Sequence, residues 1–122
     1  MKKILFIEDE DALQKAVKFI LENNGYDFLS ALDGEIGVVL AKTEKPDLIL
    51  LDLILPKING FEVLESLLSD ESTKNIPVIV LTNLEGSADV EKALSLGAKT
   101  YLVKSNYSLG DILEKVKRVL ED

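Results

Sequence analysis

The sequence predicts an α/β protein with a doubly wound, five-stranded parallel sheet of (βα)5 type. Short apolar runs alternate five times, along 122 residues, with longer stretches in which apolar residues recur at helical spacing. The central runs are apolar on both faces, as is typical of parallel strands covered by helices on both sides. Right-handed crossovers between such strands produce an open sheet, for which 2-1-3-4-5 is a common strand order.

The predicted strands are the five short apolar runs. Gly25 separates the first predicted helix from the second strand, and Pro46 breaks the chain before the third. No linker, low-complexity segment or further repeat interrupts the pattern, so residues 1–122 are predicted to form one domain. The predicted strands are Lys2–Ile7, Tyr26–Ala31, Asp47–Asp52, Pro77–Thr82 and Thr100–Val103.

The predicted helices are recognised by capping residues and by apolar spacing, and Gly97 is predicted to end the fourth. The predicted N-terminal caps are Asp33, Asn59 with Glu62, Ser87, and Ser108 with Asp111. The apolar sets are Leu13, Ala16, Val17, Ile20 and Leu21; Ile36, Val39 and Leu40; Phe61, Leu64, Leu67 and Leu68; Val90, Ala93 and Leu94; and Leu109, Ile112, Leu113, Val116, Val119 and Leu120.

The composition excludes several classes of function. The sequence contains neither cysteine nor histidine, so disulfides, thiol catalysis and imidazole chemistry are absent, and a metal must be bound by oxygen. The formal net charge of −8 argues against direct nucleic-acid binding. No apolar run approaches the length of a membrane span, and acidic residues interrupt the first apolar run too early for a signal peptide. We therefore expect a cytoplasmic protein without a membrane partner.

Reactive or charged residues follow four of the five predicted strands. Glu8 and Asp9 follow the first strand, Asp52 ends the third, Thr82 ends the fourth and Lys104 follows the fifth. The carboxyl ends of parallel strands lie at one edge, and the order 2-1-3-4-5 makes the first and third strands neighbours. We therefore expect the three carboxylates to converge there. Each residue alone has an ordinary structural explanation, such as a strand end or a surface lysine, but their shared position favours a site.

Three converging carboxylates need compensating positive charge. A like-charge pair about 4 Å apart costs about 1 kcal/mol in water and about 4 kcal/mol at intermediate dielectric. Lys104 supplies one positive charge, and a divalent cation would supply two more. Oxygen ligands suit Mg²⁺, with Mn²⁺ as the alternative. Because an aspartate carboxylate can attack phosphorus, and the Thr82 hydroxyl can donate a hydrogen bond to a phosphoryl oxygen, we hypothesise phosphoryl transfer to Asp52.

Four motifs carry a resemblance to a known family. They are an acidic loop after an apolar strand at Ile4–Glu10, the phosphoacceptor strand and loop at Pro46–Gly60, a strand ending in a hydroxyl at Pro77–Thr82, and Leu96–Ala98 preceding Tyr101–Lys104. The chain thereby resembles, over its whole length, the receiver domain of two-component response regulators, in its stand-alone form. The resemblance implies a phosphorylated signalling switch, which promotes only its own phosphorylation and dephosphorylation, and is not an enzyme.

The resemblance also implies a role for each site residue. Asp52 would be the phosphoacceptor, Asp9 and Asp52 would bind Mg²⁺ directly, Glu8 would bind through water, and the Ile54 backbone carbonyl would complete the protein ligands. Thr82 and Tyr101 would form a switch pair. The partners would be a sensor histidine kinase or histidine phosphotransfer protein, and an effector docking on the fourth helix, fifth strand and fifth helix.

Departures from the family pattern lead to further expectations. Ser105 stands where the family usually has proline, often after a cis bond, so either the Lys104–Ser105 bond is trans and the loop differs, or the fold supports a strain of roughly 3–4 kcal/mol. Asn83 replaces a small residue, which alters access to the phosphoryl group. Ile54 and Leu84 occupy positions that tune phosphoryl lifetime; neither can orient water, so we hypothesise slow autodephosphorylation.

Three alternatives were compared with this interpretation. A degenerate receiver, acting as a constitutive binding module, is opposed by the intact Asp52, acidic pair, Thr82 and Lys104, although Ser105 and Asn83 leave room for it. A Mg²⁺-dependent hydrolase with an aspartate nucleophile would commonly carry a second aspartate at position 54, where this chain has Ile54. A flavin-binding protein would need a loop rich in backbone donors after the first strand, and this loop is acidic.

Overall fold

The computed structural model describes residues 1–121, and these form five strands and five helices in strict alternation. A 3₁₀ turn at Lys104–Asn106 separates the last strand from the last helix. The elements are β1 (Lys3–Ile7), α1 (Asp11–Glu22), β2 (Asp27–Ala31), α2 (Gly34–Glu44), β3 (Leu48–Leu51), α3 (Gly60–Ser69), β4 (Val78–Thr82), α4 (Ser87–Leu96), β5 (Thr100–Val103) and α5 (Leu109–Glu121).

All neighbouring strands pair in parallel, in the flavodoxin-like order β2-β1-β3-β4-β5, which confirms the predicted doubly wound α/β fold. The first four strands begin one residue later than predicted, at Lys3, Asp27, Leu48 and Val78. Asp52, predicted as the last residue of the third strand, lies just beyond it. The register matters for the site: Ile7 pairs with Leu51, so Glu8 and Asp52 leave the sheet at the same level.

The sheet is the middle of three layers. Along β1, β3 and β4 the strand residues are almost entirely buried, and their side chains alternate between two apolar clusters. One cluster, with Leu5, Ile49 and Val80, contacts α2, α3 and α4. The other, with Phe6 and Leu50, contacts α1 and α5. Burial on both faces explains why the central strands are apolar at every position.

Of the three apolar residues predicted to bury α2, only Leu40 packs against the core, where it is partly buried. Ile36 and Val39 are 45% and 59% exposed, whereas the buried row consists of Gly34, Gly37 and Ala41. The reason is close packing: a Cβ atom at Gly37 would lie 2.5 Å from Ile7 Cδ1 on the sheet. A helix this close to a strand needs small residues there, so the prediction from apolar periodicity was wrong for Ile36 and Val39.

The beginning of α4 also differs from the prediction. Gly86, and not Ser87, is the N-terminal capping residue, and Ser87 is already helical without a side-chain capping bond. Leu94, predicted as part of the buried face, is 45% exposed, while Ala93 is fully buried. The predicted end of the helix is confirmed, because Gly97 adopts the left-handed conformation at φ 116°.

The remaining predicted caps are confirmed. The Asp33 carboxylate accepts a hydrogen bond from the first turn of α2. Asn59 Oδ1 accepts one from Glu62 N at 3.0 Å, and Ser108 and Asp111 bond reciprocally, as in a capping box. Within residues 1–121, none of the helices combines the length and apolarity that crossing a bilayer requires.

Candidate functional site

Three carboxylates converge at the carboxyl edge of the sheet, as predicted. Glu8 and Asp9 follow β1 and Asp52 follows β3, and one oxygen of each lies within 4.8 Å of the others. Glu8 and Asp52 are 1% and 3% exposed, while Asp9 lies at the surface. The parallel pairing of β1 with β3 causes this convergence, since it brings residues 44 positions apart to one level.

Lys104 supplies the positive charge of the cluster. From the turn after β5 its Nζ atom donates a 2.9 Å hydrogen bond to Asp52 Oδ2 and lies 2.5 Å from Glu8 Oε1. Burial alone would lower the pKa of Lys104, but hydrogen bonds and ion pairing with Glu8 and Asp52 outweigh burial and raise it. Lys104 therefore stays an ammonium, holding two buried carboxylates together.

The cluster still carries more negative than positive charge. Burial raises the pKa of Glu8 to about 7, the Asp52 charge adds to this, and Lys104 and the Glu10 amide oppose it. Within residues 1–121, Glu8 Oε1 is a buried atom with an ion-pair contact to Lys104 but no aligned hydrogen bond. Three carboxylates against one ammonium fit a hard divalent cation bound by oxygen.

The loop after β3 fixes the second oxygen of Asp52. Asp52 Oδ1 accepts a 3.2 Å hydrogen bond from Ile54 N, while the Ile54 side chain is 56% exposed. Gly60 closes the loop by donating a hydrogen bond from its N–H to Leu53 O at 2.9 Å. A Cβ atom at Gly60 would overlap Leu53 Cα and Asp52 O, so only glycine allows this approach.

Thr82 and Tyr101 both contact the backbone of Leu84. Thr82 is completely buried at the end of β4, and its Oγ1 accepts a hydrogen bond from Leu84 N at 3.4 Å. The Tyr101 hydroxyl donates to Leu84 O at 2.7 Å. Burial raises the pKa of Tyr101, and the charges of Asp89 and Asp52 add to the increase. The two predicted switch residues are therefore linked through the loop after β4.

The structure shows the conformation of the Lys104–Ser105 peptide bond, which the sequence left open between cis and trans. The structure contains no cis peptide bond within residues 1–121, so the Lys104–Ser105 bond is trans. The chain forms a 3₁₀ turn instead, which Tyr107 N closes by donating to Lys104 O at 3.4 Å. Asn83, the other departure beside the site, is exposed.

Sequence reasoning missed Gln14. This side chain is 4% exposed, and it contacts the backbone of the acidic loop. A signal was present: Gln14 shares the buried row of α1 with Val17 and Leu21, so a polar residue occupies an apolar position. The ion pair of Lys57 Nζ with Asp33 Oδ2, at 3.4 Å, was also missed; it links the β3–α3 loop to the cap of α2.

Comparisons with known proteins agree with this geometry. Residues 4–117 match the family model of the response regulator receiver domain. The transcriptional regulator RpaA of Synechocystis sp. is 42% identical over 120 residues, which are 98% of this chain and 49% of RpaA. PilH of Pseudomonas aeruginosa is 36% identical over 85% of this chain and 86% of PilH. The chain spans about half the length of RpaA and of PhoP from Bacillus subtilis.

Solved structures show the same likeness. A CheY-like receiver domain protein from Methanospirillum hungatei JF-1 superimposes with a TM-score of 0.93 at 30% identity, covering 99% of this chain and 94% of that one. The receiver domain of the sensor histidine kinase PA1611 from Pseudomonas aeruginosa, solved with Mg²⁺ in its active-site cleft, has a TM-score of 0.89 at 26% identity and coverage of 99% and 98%. The chain belongs to the response regulator receiver domains of two-component systems, which are signalling domains and not classical enzymes.

Proposed function

We propose that this chain, as one receiver domain over residues 1–122, accepts a phosphoryl group on Asp52 from a phosphohistidine of a sensor histidine kinase or a histidine phosphotransfer protein. The convergence of Glu8, Asp9 and Asp52 around Lys104 carries the proposal. The phosphohistidine must lie outside residues 1–122, because this sequence contains no histidine. Because phosphoryl transfer from these partners takes place in the cytoplasm, we propose a cytoplasmic location for this chain.

In the proposed step a carboxylate oxygen of Asp52 attacks the phosphorus atom. An O–P bond forms, the N–P bond to the donor imidazole breaks, and the leaving nitrogen keeps the electron pair. Lys104 Nζ, 2.9 Å from Asp52 Oδ2, is close enough to neutralise charge on the phosphoryl oxygens. The Ile54 N–H holds the carboxylate in a defined orientation.

The residues that would hold Mg²⁺ are Asp9 and Asp52 directly, Glu8 through water, and the Ile54 backbone carbonyl. Two observations support this assignment of ligands: all the donor atoms of the cluster are oxygens, and the cluster carries excess negative charge. Bound Mg²⁺ would neutralise the carboxylates and polarise the incoming phosphoryl group.

Phosphorylation would act on the switch through Leu84. The Thr82 hydroxyl can donate a hydrogen bond to a phosphoryl oxygen, and movement of the side chain toward that oxygen would break the long, 3.4 Å hydrogen bond that Oγ1 accepts from Leu84 N. Movement of Thr82 changes the loop whose carbonyl binds the Tyr101 hydroxyl, and Tyr101 lies on β5 beside α4. We therefore propose that α4, β5 and α5 form the effector surface, and that residues 1–122 act by protein contact, given their net charge of −8.

Intact-mass measurement with a small acyl-phosphate donor and Mg²⁺ tests this proposal. The wild-type chain is expected to gain the mass of one phosphoryl group, and Asp52→Asn or removal of Mg²⁺ by a chelator is expected to abolish the gain. Asp27→Asn, which makes the same change at an exposed position on β2, is the matched control and should still be phosphorylated. An unmodified wild type under these conditions would instead support the degenerate, constitutively binding receiver.

The phosphorylated chain is expected to lose its phosphoryl group slowly. Ile54 and Leu84 border the site with apolar side chains, which cannot orient an attacking water molecule. Ile54→Asn and Leu84→Glu should therefore shorten the lifetime, measured as the decay of the phosphorylated mass after donor removal. Rapid decay in the wild type that neither substitution changes would contradict the explanation.

A further inference from the structure

The Gln14 side chain of α1 contacts three backbone carbonyl groups beneath the acidic loop. Gln14 Nε2 lies 3.0 Å from Phe6 O, 3.0 Å from Glu8 O and 3.1 Å from Ala31 O. Phe6 and Ala31 lie at the carboxyl ends of the neighbouring strands β1 and β2, and Glu8 lies in the loop that follows β1. One amide group therefore joins α1, β1 and β2 directly below the carboxylate cluster.

The Gln14 amide is only partly satisfied in this position. A primary amide has two hydrogens for these three acceptors. Gln14 Oε1 is buried and has no hydrogen-bond partner within residues 1–121, which adds the cost of a desolvated acceptor. An apolar side chain of similar size would avoid that cost, but it would leave the three carbonyls without this donor. What only the amide contributes is its donation to the three carbonyls, and one of these belongs to Glu8.

The Glu8 backbone is held from both sides. Its N–H donates to Ala31 O at 2.9 Å, and its carbonyl accepts from Gln14 Nε2, which also binds Ala31 O. The Glu8 carbonyl and the Asp9 N–H belong to the same planar peptide unit. Fixing that carbonyl therefore fixes the direction in which the chain carries both the Glu8 and the Asp9 side chains.

We propose that Gln14 is a positioning residue for the cation site: it holds the Glu8–Asp9 peptide so that both carboxylates face Asp52. This inference rests on the proposed function, since it concerns the same cation. Gln14 itself offers no ligand to the cluster, which consists of Glu8, Asp9 and Asp52. Hydrogen-bonded groups behind metal ligands typically change metal affinity by about 10–100-fold when they are removed.

Calorimetric titration with Mg²⁺ tests the inference. Gln14→Met, which keeps the side-chain length but loses both donors, is expected to weaken Mg²⁺ binding about tenfold. The matched control is Thr73→Val, because Thr73 is 1% exposed and donates to a single carbonyl, Leu67 O, at 2.6 Å, away from the site. The control should lose stability and keep the wild-type affinity. Equal Mg²⁺ affinity in Gln14→Met and in wild type would overturn the inference.

Hydrogen exchange of the metal-free protein supplies a readout that does not need the ion. The Glu8 and Asp9 amides are expected to exchange faster in Gln14→Met than in Thr73→Val at matched global stability. Gln14→Lys restores three N–H donors for the three carbonyls, and it should recover the slow exchange. Equally fast exchange in the Lys and Met variants would overturn the inference. If the wild type binds no Mg²⁺ but exchange is faster in Gln14→Met and slow again in Gln14→Lys, the proposed cation is contradicted, while the role of Gln14 in positioning the Glu8–Asp9 peptide is supported.

Discussion

Lys104→Met is expected to lower the free energy of unfolding of the metal-free protein by about 3 kcal/mol, because it leaves buried carboxylates without their counter-charge. The ammonium lies 2.5 Å from Glu8 Oε1 and 2.9 Å from Asp52 Oδ2, and these two side chains are 1% and 5% exposed. Methionine fills similar space without charge, so the change isolates the electrostatic contribution. Chemical denaturation at neutral pH, in the presence of a chelator, measures the loss.

The loss should depend on pH in a defined direction. The pKa of Glu8 is raised from 4.5 to about 7 in the folded protein, so Glu8 favours folding most below pH 4.5 and this contribution disappears as the pH rises through 7. Removing Lys104 removes an interaction that lowers this pKa. The deficit of Lys104→Met should therefore be largest at alkaline pH and shrink as acid protonates the cluster. A deficit that stays constant between pH 5 and 8 would show that lost packing, and not charge, is its cause.

Mg²⁺ should stabilise the Lys104→Met variant more than it stabilises the wild type, because the ion then meets a more negative cluster. Thermal unfolding with and without Mg²⁺ measures this difference. Lys15→Met is the matched control: its ion pair with Asp11 is 3.0 Å long but 77% and 71% exposed, so we expect a loss of about 0.5 kcal/mol or less and no altered response to Mg²⁺.

The candidate site could be predicted because its residues follow parallel strands. Parallel pairing puts all carboxyl ends at one edge, and apolar runs are reliable markers of buried strands. Glu8 and Asp52 therefore had to approach each other once β1 and β3 were neighbours, whatever the details of the helices. The capping residues Asn59 and Ser108 were predictable for a similar reason, since a cap depends on residues within one turn.

Features that depend on distances between elements could not be predicted. The buried face of α2 is set by how closely the helix approaches Ile7, and apolar periodicity gives no weight to glycine. The capping residue of α4 is Gly86, at φ −65° and ψ 140°, and glycine has no side chain that could mark it as a cap in the sequence. The position of Gln14 on the apolar row of α1 indicated its burial, but its three acceptors could not be predicted because they are backbone carbonyls of other elements.

The second large effect is expected at Gly60, the first residue of α3, where the loop after β3 ends. A Cβ atom there would overlap two backbone groups, Leu53 Cα and Asp52 O, more closely than real Cβ atoms approach any neighbour. Flexible side chains can move aside, but these atoms belong to the segment that orients the Asp52 carboxylate. Gly60→Ala must therefore shift the loop, the helix, or both.

Gly60→Ala is accordingly expected to lower the free energy of unfolding by about 3 kcal/mol, at the upper end of the usual cost of overpacking. Chemical denaturation measures this loss, and the initial rate of Asp52 phosphorylation should fall with it because the carboxylate is displaced. Gly110→Ala is the matched control: a Cβ atom in this first turn of α5 meets nothing closer than Ser108 Oγ at 3.7 Å, so alanine should be neutral or stabilising by about 0.5 kcal/mol. Equal stability of the two variants would mean that the loop after β3 is free to move, and the fixed orientation of Asp52 would then need another source.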